Sequence, residues 1–119
     1  MSAQRVLRRG DIWWATLDPT IESERAGRRP VVIVSSNRFQ RIQDRLVLIV
    51  PVTSTIRGYP FHVTTQPAET GLRQPGAIMC DQLRMLSTAR LLDAAPAGRL
   101  STDLLRQVDD ILRALIDLP

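Results

Sequence analysis

Arg9-Gly10-Asp11-Ile12-Trp13-Trp14-Ala15-Thr16-Leu17-Asp18-Pro19 and, eight residues on, Arg28-Arg29-Pro30-Val31-Val32-Ile33-Val34-Ser35 form the stretch whose reading decides the fold. Residues 11–17 are apolar and aromatic and run into Asp-Pro, which reads as a strand followed by a breaker. Residues 18–29 are polar and read as a loop that carries Arg28 and Arg29. Pro30 then opens a run of β-branched residues, and apolar character without alternation predicts a buried strand over residues 30–36. Proline fixes its own φ and pushes the residue before it towards extended backbone. Arg29 therefore leaves the loop in a restricted direction, an arrangement suited to presenting a guanidinium to a phosphate.

The rest of the chain fits the same plan. Residues 1–8 read as a loose tail. Residues 37–43 suit a short helix capped by Ser36 or Asn37. Residues 45–53 form a second buried strand that continues past Pro51, and residues 57–60 a turn. Residues 61–66 alternate and read as a half-exposed strand, with His62 on its exposed side. Residues 67–76 read as a loop, 77–86 as one strand, 87–92 as a helical turn and 92–97 as a short edge strand. A C-terminal helix runs from a cap at Ser101 or Thr102 to about Asp117. Leu104, Leu105, Val108, Ile111, Leu112, Leu115 and Ile116 fall on its apolar stripe. Several short strands and one final helix predict a mainly β (α+β) fold, an SH3-like small β-barrel with the helix packed on it.

Composition narrows the function. A chain of 119 residues with 44% hydrophobic content reads as one domain with a real core. No apolar run has the length of a membrane span, and residues 1–10 lack the apolar segment of a secretory signal. Cys80 is the only cysteine, so no internal disulfide forms and a reducing cytoplasm fits. All 16 basic residues are arginine. A GC-rich genome accounts for that plainly; arginine is also the better ligand for phosphate and for stacked bases. Residues 1–90 hold 13 arginines against seven acids, whereas residues 91–119 hold three against five. The basic excess thus lies in the β-rich part, the footprint of a face that binds a polyanion.

There is no phosphate-binding glycine loop and no cysteine–histidine cluster with zinc spacing. One histidine, His62, excludes a histidine-pair ribonuclease. Trp13 and Trp14 are adjacent on a strand and so face opposite ways. Both suit packing at a barrel or dimer seam, and the outer one also suits stacking on a base or a partner protein's side chain. Pro51-Val52-Thr53-Ser54 ends an apolar strand with two hydroxyls; a hydroxyl at a strand end can donate to a phosphate oxygen without leaving a buried polar group, and threonine is also an ordinary strand residue.

These motifs together resemble the MazF/PemK family of bacterial toxin endoribonucleases. The similarity runs from about Arg9 to Arg90 and includes Gly58-Tyr59-Pro60-Phe61 and Cys80-Asp81-Gln82-Leu83-Arg84. It implies that Arg29, immediately before the strand-opening proline, and Thr53 form the catalytic pair. It further implies RNA contacts at Ser23, Glu24, Arg28, Ser54, Asp81, Gln82 and Arg84. Asp81 and Gln82 read bases first and serve catalysis only secondarily. Glu22 and Arg25 stand where the family's Gly-Ser-Glu-Gln loop has Gly and Gln. Ser23 and Met79 stand where the Kid-like branch has His and Arg, so a mechanism built on those two groups does not carry over.

The resemblance implies metal-independent cleavage of single-stranded RNA to 2′,3′-cyclic phosphate and 5′-hydroxyl ends, with no cofactor. Messenger RNA is the first substrate, with rRNA or tRNA as alternatives. The implied partners are a second copy of the chain and a MazE-like antitoxin acting through its acidic C-terminal segment. DNA is reached only through the antitoxin, and no membrane is involved. Two rivals share the fold class: a CcdB-like gyrase poison, which acts through a Trp-containing tail that this C-terminus lacks, and a non-catalytic SH3-like nucleic-acid-binding module.

Overall fold

The computed structural model describes residues 5–17 and 27–119. Its strands are β1 (Asp11–Thr16), β2 (Arg28–Ile33), β3 (Leu46–Thr53), β4 (His62–Thr65), β5 (Gly76–Met79), β6 (Arg84–Ser87) and β7 (Gly98–Arg99). Its helices are α1 (Asn37–Ile42), α2 (Pro67–Thr70) and α3 (Thr102–Ile116), with 3₁₀ turns at Cys80–Gln82 and Thr88–Arg90. The strand order is β4-β5-β3-β2-β1-β7, and β6 pairs with β3. This is the expected mainly β architecture with a C-terminal helix.

β3 is the hub. Its residues 46–49 pair with β6 on one edge, and its residues 49–51 pair with β2 on the other. Its second half pairs with β5 through Val52↔Ile78 and Thr53↔Ala77. Residues 77–86 therefore do not form the single strand expected of them. They make two strands on one edge of β3, and the Cys80–Gln82 turn absorbs a shift in register between them. Pro51 explains the break. The Val34 N–H donates to the Leu48 carbonyl at 2.9 Å. Hydrogen-bonded pairs alternate along an antiparallel ladder, so the Pro51 nitrogen points away from β2, towards that turn. It has no hydrogen to donate, and the neighbouring chain leaves the edge there.

Both faces of the sheet are covered, which is why β2 and β3 read as unbroken apolar runs. One core cluster joins Ile12, Val32, Val50, Val52, Val63 and Ile78 to Leu100, Leu104 and Val108. The other holds Trp13, Ala15, Val31, Ile33, Val47, Ile49, Leu86 and Leu91. Ser101 caps α3 by accepting from the Leu104 N–H at 3.1 Å. Leu104 and Val108 are buried on the sheet, each worth about 1.5–3 kcal/mol. Leu105, Ile111 and Leu112 pack beside them, whereas Leu115 and Ile116 at the end of the expected stripe are exposed. The last turn of the helix lies beyond the core it helps to cover.

Four further expectations change. Residues 5–8 are anchored, not loose: the Arg5 guanidinium donates to the Thr88 and Leu91 carbonyls at 2.9 and 3.0 Å. It also lies 5.5 Å from the centroid of the Trp13 ring. Arg28 and Arg29 are the first residues of β2, opposite Thr16 and Ala15, and not part of a loop. Part of the expected 67–76 loop is α2, where the Glu69 carboxylate accepts from the Gln66 N–H at 3.0 Å. The edge strand is Gly98–Arg99 instead of residues 92–97, where Pro96 removes a ladder donor. Gly98 is where β7 meets α2: a Cβ there would lie 2.1 Å from the Thr70 carbonyl oxygen.

Candidate active site

The β2–β3 ladder ends at Val31↔Pro51. By the same alternation, the next hydrogen-bonded pair would need an N–H from Pro30, which has none. β3 turns instead to β5, and the gap opens into a cavity of about 810 Å³. Residues of both sheet faces line it. Trp14, Pro30 and Val52 come from one, and Arg29 and Thr53 from the other. Two prolines thus create the opening that the arginine and the threonine occupy.

The chemistry of the cavity is cationic. Arg28, Arg29 and Arg73 line it, and no carboxylate does among the described residues. Arg29 is half-buried, and its guanidinium has no hydrogen-bond or ion-pair partner there. A partly desolvated fork with no partner among the described residues suits an anion with planar oxygens. The Thr53 Oγ1 accepts from the Thr55 N–H at 3.1 Å, which orients the hydroxyl and leaves its own hydrogen to donate. Gly76 fixes the other side of Thr53, because a Cβ there would lie 2.6 Å from the Thr53 carbonyl oxygen. Only glycine lets β5 approach that closely.

The fold gathers Arg28, Arg29, Thr53 and Ser54 around one cavity. It does not bring Asp81, Gln82 or Arg84 into that lining. Asp81 and Gln82 are exposed on the 3₁₀ turn across β3, and Arg84 is on β6 opposite Ile49. Ser23 and Glu24 lie outside the described residues. Sequence reasoning missed Arg73, Leu72 and Gly76. The signal was an arginine between Gly71 and Gly76, but nothing local shows that this segment folds back onto residues 52–55.

His62 is not on an exposed surface. Its side chain is 6% exposed, with Nε2 3.5 Å from an Asp81 carboxylate oxygen and its ring 5.0 Å from that of Tyr59. The Tyr59 ring and the 80–82 turn enclose it, which alternation along β4 alone does not reveal. Among the described residues no group of three or more His, Cys, Asp or Glu side chains is placed to hold a metal ion. No described helix is long and apolar enough to cross a membrane.

Cys80 is buried. Burial first, then the Asp81 and Asp109 charges, push its thiol from 9.0 up to about 12. The folded protein therefore keeps the thiol protonated, and an alkylating reagent at pH 8 is expected to label it only after unfolding. The stability linked to that proton is complete below pH 9 and is lost as pH rises towards 12. Rapid labelling of native protein, read by mass spectrometry, would contradict this.

Comparison with known proteins gives the same picture. Residues 8–116 match the family described as PemK-like, MazF-like toxin of type II toxin–antitoxin system. Endoribonuclease MazF9 of Mycobacterium tuberculosis is 40% identical over 118 residues, covering 95% of this chain and 98% of the relative. The endoribonuclease toxin MazF of Escherichia coli is 31% identical over 107 residues, covering 90% and 91%. Among solved structures, a MazE–MazF crystal structure from Deinococcus radiodurans aligns with a TM-score of 0.78 at 26% identity, covering 96% of this chain and 99% of that one. With its half-barrel, its final helix and its arginine–threonine cavity, this chain belongs to the PemK-like, MazF-like family of type II toxin–antitoxin toxins, the family of its endoribonuclease relatives.

Proposed function

We propose that this endoribonuclease toxin cuts single-stranded RNA at the Arg29–Thr53 cavity without a metal ion. The observation that carries the reading is the Arg29 guanidinium, without a partner among the described residues, in an opening lined by three arginines and no described carboxylate. In the step, the ribose 2′-oxygen bonds to the adjacent phosphorus as the bond from phosphorus to the 5′-oxygen breaks. The 2′-hydroxyl gives up its proton and the leaving 5′-oxygen gains one. The products are a 2′,3′-cyclic phosphate and a 5′-hydroxyl.

Negative charge builds on the non-bridging oxygens of the phosphorane, and Arg29 meets it. A guanidinium is too weak an acid to lose its proton near neutral pH, so it is not available as a general base, and its contribution is electrostatic. The Thr53 hydroxyl donates to the same phosphate. Arg28, Ser54 and Arg73 hold neighbouring phosphates. Ser23, Glu24, Asp81, Gln82 and Arg84 contact bases further along the strand.

The toxin works as a homodimer in the cytoplasm, where a two-chain groove gives several nucleotides room to bind. A cognate antitoxin closes that groove with an acidic segment, and any contact with DNA runs through the antitoxin. The MazE–MazF structure from Deinococcus radiodurans supports an antitoxin partner, and the basic cavity supports an acidic segment. The test is digestion of matched single-stranded and duplex RNA in EDTA. Cleavage of the single strand with the duplex largely intact is expected. A strict requirement for added Mg²⁺, or equal cutting of both, would sink the proposal.

A further inference from the structure

β1 carries one tryptophan on each face, and the two have different surroundings. Trp13 is completely buried in the second core cluster. Trp14 is half-buried and packs into neither cluster among the described residues. Its place in the register explains why. Ile12, Val32 and Val50 form a cross-strand row, and that row lies under Leu104 and Val108 of α3. Two residues further along the same face comes the row of Trp14 and Pro30, with Val52 next in the register. Val52 still joins the core, but Trp14 at the other end faces the active-site cavity.

A half-buried indole that lines a cationic opening offers a flat apolar surface to a ligand held there. Its neighbours define which one. Arg29 directly precedes Pro30 and Thr53 directly follows Val52, so the groups that hold the scissile phosphate border the row that holds the indole. Among the described residues, no other aromatic side chain lines the cavity.

We propose that Trp14 is the stacking platform for the nucleobase beside the scissile phosphate. The proposal rests on the cleavage reading above and adds a binding residue to it. Stacking on an indole is tolerant of base identity because every base has a π-face. Trp14 therefore contributes affinity and alignment at this nucleotide and leaves base choice to polar groups elsewhere.

The test combines kinetics with tryptophan fluorescence. Trp14→Ala is expected to raise KM for a single-stranded RNA roughly 10- to 100-fold, with a smaller fall in kcat. Trp14→Phe, which keeps an aromatic face and most of the volume, should recover most of the loss. Because Trp13 is buried, binding an uncleavable oligonucleotide with a 2′-deoxy scissile nucleotide should quench Trp14 selectively. That quench should vanish in Trp14→Phe while binding, followed by anisotropy of a labelled strand, persists. If Trp14→Ala fails to fold, the Trp14→Phe fluorescence comparison still decides. Unchanged KM and kcat in a folded Trp14→Ala protein, or a full quench that survives in Trp14→Phe, would overturn the proposal while leaving the cleavage reading intact. A wild-type protein that cuts no RNA would overturn the cleavage reading, and the fluorescence titration would still report whether the indole meets nucleic acid.

Discussion

Arg29→Ala is expected to leave a folded protein whose single-turnover RNA cleavage is slower by roughly 10²–10³-fold, the usual cost of removing one pre-organised donor to a transition-state oxyanion. Thr53→Ala should lose a comparable factor, since in the proposed mechanism its hydroxyl addresses the same phosphate from the adjacent strand. Neither change removes a core side chain, so the circular dichroism spectrum should match the wild type. Arg28→Ala is the internal control. Arg28 is exposed at the start of β2, whereas Arg29 is half-buried beside Pro30. The partly desolvated guanidinium has the stronger field at the phosphate, so Arg28→Ala should cost less. A larger loss for Arg28→Ala, with both proteins folded, would move the catalytic fork to the neighbouring residue.

Gly98→Ala is expected to have the largest effect on stability. Its Cβ would lie 2.1 Å from the carbonyl oxygen of Thr70 and 3.2 Å from the carbonyl carbon. Both are backbone atoms, and Thr70 is itself buried, so no flexible side chain can yield. The Ser101 N–H also donates to the Glu69 carbonyl at 2.9 Å beside this contact. Opening it therefore disturbs the approach to α3 as well. A loss of about 3 kcal/mol is expected, with a fall in Tm of roughly 10 °C, read by thermal denaturation. A Tm within a degree or two of wild type would show that α2 and β7 separate freely.

Much of this was legible in the sequence because it depended on local signals. The β-branched run after Pro30 and the apolar run before Thr53 fixed β2 and β3, and the stripe from Leu104 to Leu112 fixed α3. The pairing of Arg29 with Thr53 was not local. It came from a family likeness, and the structure adds the physical cause: prolines at 30 and 51 that end one ladder and redirect the next strand. What periodicity failed to give depended on long-range closure. Arg73 enters the cavity only because Gly76 passes against Thr53. His62 is enclosed only because a 3₁₀ turn interrupts β5 and β6. The anchoring of Arg5 depends on the Thr88 and Leu91 carbonyls, more than eighty residues away, which no local pattern around residue 5 encodes.

In the proposed mechanism the cavity between β2 and β3 drives attack by the RNA's own 2′-hydroxyl. Mass spectrometry of the products formed by wild-type protein from single-stranded RNA in EDTA tests it most directly. The expected products are a 2′,3′-cyclic phosphate on one fragment and a 5′-hydroxyl on the other, with no cutting of the oligonucleotide whose scissile nucleotide is 2′-deoxy. Fragments bearing a 5′-phosphate, or cleavage of the deoxy-substituted strand, would contradict it.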